Sequence, residues 1–183
     1  MAIFIPFESG KHHDDYIQMN IELGLWYAEQ LKEKNHVDLV SILGMSIPEY
    51  VHENTDFLTN LKPPEGIIYM IEANGEIAGT GAIKKLGQDK GELKRMYVRP
   101  KFRGRGFGKQ LLDKVLEAGK QFGRTSYILD TPPFAYAAHH IYRSVGFKDR
   151  PAYPETEVPP ALRPIWLFME KKEQLGLQEK DVS

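Results

Sequence analysis

The chain contains no cysteine. That absence removes disulfides, cysteine-rich metal sites and a cysteine nucleophile together, and it suits a reducing compartment. The chain also lacks the apolar run of roughly 18 to 20 residues that a membrane-spanning helix needs. Neither sign of charge dominates: 24 Lys and Arg stand against 25 Asp and Glu, a net charge of −1. Any affinity for phosphate must therefore be local. Internal repeats and extended low-complexity segments are missing. The opening MAIFIPFESG has no basic leader, which argues against a secretory signal. A cytoplasmic protein is expected, with no membrane contact.

What is present suits one domain. Hydrophobic residues at 42% and charged residues at 27% describe a globular chain rather than a disordered one. A single domain over 1–183 is expected, with its core over about 3–170 and a charged, fraying tail over 171–183. Residues 3–7 read as an edge strand because Pro6 disfavours a central one. Residues 14–34 read as a helix carrying Ile17, Ile21, Leu25 and Ala28 on one face and capped by Asp14 or Asp15. HVDLVSILG is ambiguous, and IPEYVHENTDFLTNL is a second, shorter helix. Two apolar runs flank Asn74-Gly75, a strong hairpin signal. GELKRMYV is a third strand. KQLLDKVLEAGKQF is an amphipathic helix with Leu111, Leu112, Val115, Leu116 and Phe122 on one face. SYILD, AYAAHHIYRSV and IWLFMEK follow as strand, helix and strand, with a proline-rich loop before the last. A parallel pairing of 92–98 with 126–130 and an antiparallel hairpin before it give a mixed sheet with helices on both faces.

The stretch RPKFRGRGFGK, residues 99–109, alternates glycine with bulky or basic residues. It fails the dinucleotide fingerprint, because Lys109 stands where the third glycine belongs. It fails the Walker pattern at Arg103 and Gln110. A disordered RNA-binding segment would be repeated, and this one runs into a helix. Glycines before a helix leave outward-pointing amides that can cradle a diphosphate. The glycines alone leave that reading open beside a tight turn with a solvated basic face.

Arg103-x-x-Gly106-x-Gly108 resembles the [Q/R]-x-x-G-x-[G/A] acyl-CoA loop of the GNAT N-acetyltransferase superfamily. ELKRMYVRP is similar to that superfamily's central strand. AAHHIYRSVGF resembles its next helix, with Ala138, Ile141, Tyr142, Gly146 and Phe147 in register. The likeness covers roughly residues 66–170, in the right order. It implies an α+β fold: a mixed, mostly antiparallel central sheet flanked by helices, with one parallel, splayed strand pair. It also implies an acetyl-CoA-dependent N-acetyltransferase acting on a primary amine of a small molecule or protein.

The coenzyme diphosphate would rest on Arg103, Gly104, Arg105, Gly106, Phe107, Gly108 and Lys109. Its pantetheine arm would pair with Met96, Tyr97 and Val98 as a substitute strand, the Met96 amide facing the developing oxyanion. Tyr142 stands where the family places the acid that protonates the departing thiolate. Glu92, opening the central strand, is the candidate general base for the attacking amine. Strand alternation puts Glu92, Lys94, Met96 and Val98 on one side and Leu93, Arg95 and Tyr97 on the other, unless a bulge changes the parity.

His139 is a candidate relay, and His12 and His13 read as a solvated loop. Where the family helix often carries asparagine, this chain has Ala135. With no cysteine, direct attack in a ternary complex is expected, and no metal site is identifiable. The first two helices and loop 151–164 are expected to wall the acceptor site. Tyr153, Glu155 and Glu157 are candidates to attract a cationic amine. Trp26 and Tyr27, or Tyr50 and His52, are candidates for its apolar lining. A non-catalytic acyl-CoA-binding module and a nucleic-acid binder using the basic run 94–109 remain as alternatives, and a homodimer is left open.

Overall fold

The computed structural model describes residues 2–173. Seven strands form one sheet in the order β1-β2-β3-β4-β5-β7-β6. They are β1 (Ala2–Pro6), β2 (Gly66–Ala73), β3 (Glu76–Leu86), β4 (Lys90–Val98), β5 (Ser126–Thr131), β6 (Lys148–Arg150) and β7 (Leu167–Lys172). Five helices accompany them: α1 (Ser9–Asn35), α2 (Leu39–Leu43), α3 (Ile47–Thr59), α4 (Phe107–Gln121) and α5 (Tyr136–Ser144). Every adjacent strand pair is antiparallel except β4 and β5. The mixed sheet with one parallel pair is therefore the fold observed.

Local signals account for most elements. Asn74 and Gly75 both take positive φ, 55° and 77°, the turn that matches the twist of β2 and β3. Ser46 and Glu49 form a reciprocal capping box at the start of α3. Asp38 caps α2 through the amides of Val40 and Ser41, which settles the ambiguous HVDLVSILG as a short helix. Leu111, Leu112 and Val115 of α4 are fully buried against the sheet, with Ala118 beside them.

Several expectations are corrected. Helix α1 begins at Ser9, not near Asp14, with Glu8 at its N-cap. His12 is buried there rather than solvated, and its Nδ1 accepts from the Glu8 amide at 3.0 Å. Leu25 points outward, 52% exposed, while Tyr16, Met19 and Leu23 take the inner face. Strand β6 is only three residues, all charged, too short to leave a period. Lys171 and Lys172 belong to β7, because β7 pairs with β5 as far as Ser126 opposite Lys172. Of the tail expected over 171–183, residues 174–183 lie outside the described residues.

The sheet has a helix layer on each face. Helix α4 lies against β2, β3 and β4, with α5 beside it. Helices α1 and α3 cover the other face. No helix among the described residues is long and apolar enough to cross a membrane.

Candidate active site

Two irregularities of β4 create the site. The first is a bulge. Thr80 pairs with Tyr97 and Ala82 with Lys94, so Arg95 and Met96 together face Gly81. Arg95 takes φ 55°, a conformation costly for a residue with a side chain. The bulge reverses the parity expected from plain alternation. Met96 and Val98 join Leu93 against the α4 core, and Tyr97 turns to the α1 face.

The second irregularity is a parting of strands. Strands β4 and β5 pair only from Lys90–Ser126 to Glu92–Ile128. Among the described residues, the strand beyond Glu92 has no strand partner on that side, while β5 continues with β7 to Thr131. The main-chain groups of β4 facing the gap are thus left without a strand partner, and the Val98 carbonyl is taken by the Arg103 side chain.

The gap opens into a groove of about 610 Å3. Met96, Tyr97, Val98, Arg103, Gly104, Gly106, Phe107, Gly108 and Lys109 line it, so the structure brings together nearly all the residues singled out for the coenzyme. Arg105 is outside the lining and lies over the Phe102 ring, 5.6 Å from its centroid. Gly106 is the N-cap of α4 at φ 77°, with no side chain capping the helix. Helix geometry leaves the amides of Phe107, Gly108 and Lys109 without an intrahelical acceptor. Among the described residues, the amides of Gly104, Arg105 and Gly106 have no backbone acceptor either.

The neighbouring cations are partly engaged. Arg103 Nε donates to the Val98 carbonyl at 2.9 Å, and its guanidinium lies over Trp26 and Tyr97. Lys109 pairs with Asp113 at 2.6 Å. Arg99 pairs with Glu22, Lys101 pairs with Glu76, and Lys94 is buried. The run 94–109 is therefore not one basic face.

Tyr142 lines the same groove on α5. Burial, aided by the charge of Asp130, pushes its phenol well above the ordinary value, so it stays protonated. Among the described residues its hydroxyl has no hydrogen-bond partner. His139 is buried, and burial lowers its pKa. Its Nε2 lies 3.0 Å from the Pro132 carbonyl, which leaves that nitrogen committed to packing. Ala135 lines the groove beside it.

A second cavity of about 120 Å3 lies across the sheet. Its roof is apolar: Leu39 and Leu43 from α2, Ile47 and Val51 from α3, and Val158 and Leu162 from the proline-rich loop. Its floor is charged: Lys94, Arg95, Asp130 and Glu157. Leu23, Tyr27, Lys94, Arg95 and Asp130 line both cavities, so the two meet there. Tyr50 lines the smaller cavity, Trp26 lines the groove, and His52 and Glu155 line neither.

An ion cluster runs through this floor and beneath it. Lys84 meets Glu92 at 3.1 Å and Glu157 at 2.8 Å. Lys94 meets Glu157 at 2.9 Å and Glu92 at 3.4 Å. Burial tends to raise the Glu157 carboxyl, but Lys94 and Lys84 outweigh it and hold it down to about 2. Glu92 has no exposed surface and lines neither cavity, so the structure does not set it against an acceptor.

Glu92 instead receives the Tyr153 hydroxyl at 2.6 Å. The same phenol oxygen lies 3.3 Å from Asp130 Oδ2, and Trp166 Nε1 donates to Asp130 Oδ1 at 3.0 Å. One phenol has one proton to give, and the shorter contact takes it. Burial raises the Asp130 carboxyl, with Lys94 and Trp166 opposing. Asp130 was not among the candidate site residues of the sequence. Its partners come from 23 and 36 residues away.

This geometry agrees with the comparisons. The Acetyltransferase (GNAT) family matches residues 29–147, well over half of the chain. The chain belongs to the GNAT acetyltransferase family. An IAA acetyltransferase of Azospirillum brasilense is 31% identical over 115 residues, 62% of this chain and 72% of that protein. The human N-acetylaspartate synthetase is 35% identical over 89 residues, 48% of this chain but only 30% of that protein. Among solved structures, a GNAT-family acetyltransferase from Staphylococcus aureus Mu50 superimposes with a TM-score of 0.61 at 22% identity, covering 94% of this chain and 99% of that one. The PaiA N-acetyltransferase of Thermoplasma acidophilum, solved with coenzyme A, gives 0.66 at 18% identity, covering 94% and 99%. At these identities the solved structures speak for the fold alone. The GNAT fold accounts for the splayed β4–β5 pair and for the glycine turn that follows it.

Proposed function

We propose that this GNAT chain transfers an acetyl group from acetyl-CoA to a primary amine by direct attack in a ternary complex. The observation that carries the reading is the unpaired edge of β4 running into the uncapped N-terminus of α4. The residues present fit the coenzyme. Free amides from Gly104 to Lys109, at the positive end of a helix, suit a diphosphate. The β4 edge at Met96, Tyr97 and Val98 suits an extended arm bearing amides.

The acceptor amine, charged below a pKa near 10, must shed a proton to react. Asp130, at the junction of the two cavities, receives it. Glu92 acts one step behind: it holds the Tyr153 proton, so the proton newly gained by Asp130 can be donated to the phenol oxygen. The Met96 amide offers a donor to the reacting carbonyl. Tyr142 protonates the departing sulfur. Its surroundings raise the phenol, and the same dry setting raises a thiolate, so the transfer stays close to balanced.

The test has two stages. Acetyl-CoA at about 100 times its Kd should stabilise the protein by about 2.7 kcal/mol, and free thiol should then appear with members of an amine panel. No shift at saturation rejects the coenzyme reading. A shift without thiol release favours a non-catalytic binding module.

A further inference from the structure

Arg95 is the one charged group of the junction without an assigned task. It lines both cavities, and among the described residues it makes no ion pair, side-chain hydrogen bond or ring contact. Its neighbours Lys94 and Arg99 are both paired with carboxylates. It is held at positive φ by the bulge. Strain of this kind persists where surrounding structure enforces it, and it clusters at ligand sites. Asp130 lies within its electrostatic reach but makes no direct ion pair with it, and a half-buried guanidinium without a direct partner invites an anion from a ligand.

Resting on the acetyl-transfer reading above, we propose that Arg95 binds the carboxylate of the acceptor, and that the acceptor is a small, free amino acid with an apolar side chain. The coenzyme does not supply the anion. Its diphosphate belongs at the glycine turn, and the pantetheine arm that would pass Arg95 carries no charge. The cavity volume of about 120 Å3 is far below the roughly 300–1,000 Å3 of drug-sized sites, so the acceptor is small. The roof of Leu39, Leu43, Ile47, Val51, Val158 and Leu162 suits an aliphatic side chain. On the floor, Arg95 faces the carboxylate and Asp130 the amine. The amino nitrogen bonds to the acetyl carbon as the carbon–sulfur bond breaks. Asp130 takes the nitrogen's proton and Tyr142 supplies one to the sulfur.

L-leucine and L-leucinamide differ at the group Arg95 would hold. With acetyl-CoA and thiol release as the readout, the KM of the wild-type protein for leucine should be about 10- to 100-fold below that for leucinamide. In Arg95→Gln the ratio should fall to near one, and Arg95→Lys should restore part of it. In a second arm, leucine but not leucinamide should raise the Tm of the CoA-loaded wild-type protein, a readout independent of turnover. Equal KM values overturn this inference alone and leave an uncharged amine or a peptide N-terminus as the acceptor. Thiol release with neither compound nor any other amine, together with no leucine shift, overturns it along with the acetyl-transfer reading. If Arg95→Gln fails to fold, the wild-type comparison still decides.

Discussion

Removing one oxygen separates the two roles available to Tyr142. As a packing residue between α5 and Phe147, whose rings lie 5.8 Å apart, it would tolerate phenylalanine. As the acid for the leaving sulfur it would not. Tyr142→Phe is expected to lower kcat by about 100-fold, within the usual range for a proton-transfer group, while acetyl-CoA affinity stays within about twofold. Wild-type turnover would return Tyr142 to the core.

Asp130 makes a different prediction, through pH. A base must be deprotonated to act, and burial raises this carboxyl above 3.8. The acidic limb of kcat/KM should therefore lie above the ordinary Asp value, with activity falling as pH drops through it. Asp130→Asn should lower kcat/KM by about 100-fold or more and remove that limb. An unchanged limb assigns the titration to another group. Neither Asp130 nor Arg95 could be singled out from the sequence. Asp130 meets partners supplied by the proline-rich loop and by Trp166 just before β7, and Arg95 reaches the junction only because a bulge turns it there. Tyr142 could be singled out because AAHHIYRSVGF, a local stretch, resembles the family's helix; its apolar register alone fits a core tyrosine equally well.

In the proposed function the glycine turn and α4 act as one binding element. At Gly106 the chain sits at φ 77°, and an added Cβ would approach only the Gln110 side chain, at 3.5 Å. Space is thus available to a side chain there. Gly106→Glu should leave a folded protein, at a strain cost of about 1–2 kcal/mol. It should also place a carboxylate where the diphosphate belongs. Calorimetric titration is expected to show acetyl-CoA affinity reduced by about 100-fold or more, and unchanged affinity would remove the diphosphate from this turn. The turn and the helix were readable in advance, because glycines and an amphipathic pattern are local features; the binding role came from the resemblance. The parity of β4 was not. Alternation is the default for a strand, and only pairing with Gly81 reveals that two residues occupy one position. Strand β6 escaped for a related reason, since three residues cannot display a period.

Across the whole molecule, the ion cluster ties β3, β4 and the proline-rich loop together at the floor of the smaller cavity. Its pH dependence has a definite sign. Glu157 is held below its ordinary value of 4.5, to about 2, so its contribution to stability is complete above pH 4.5 and lost as pH falls toward about 2. The Tm difference between the wild-type protein and Glu157→Gln should therefore be largest near neutrality and shrink through that window. A difference independent of pH would mean that Glu157 acts by packing.

The account rests on the seam between β4 and β5 and the turn beyond it. A crystal structure of the protein with acetyl-CoA tests it most directly. The account predicts the diphosphate within about 3 Å of the amides between Gly104 and Lys109, with the pantetheine arm hydrogen-bonded along β4. Coenzyme bound elsewhere, or a turn left empty at saturating ligand, would contradict it.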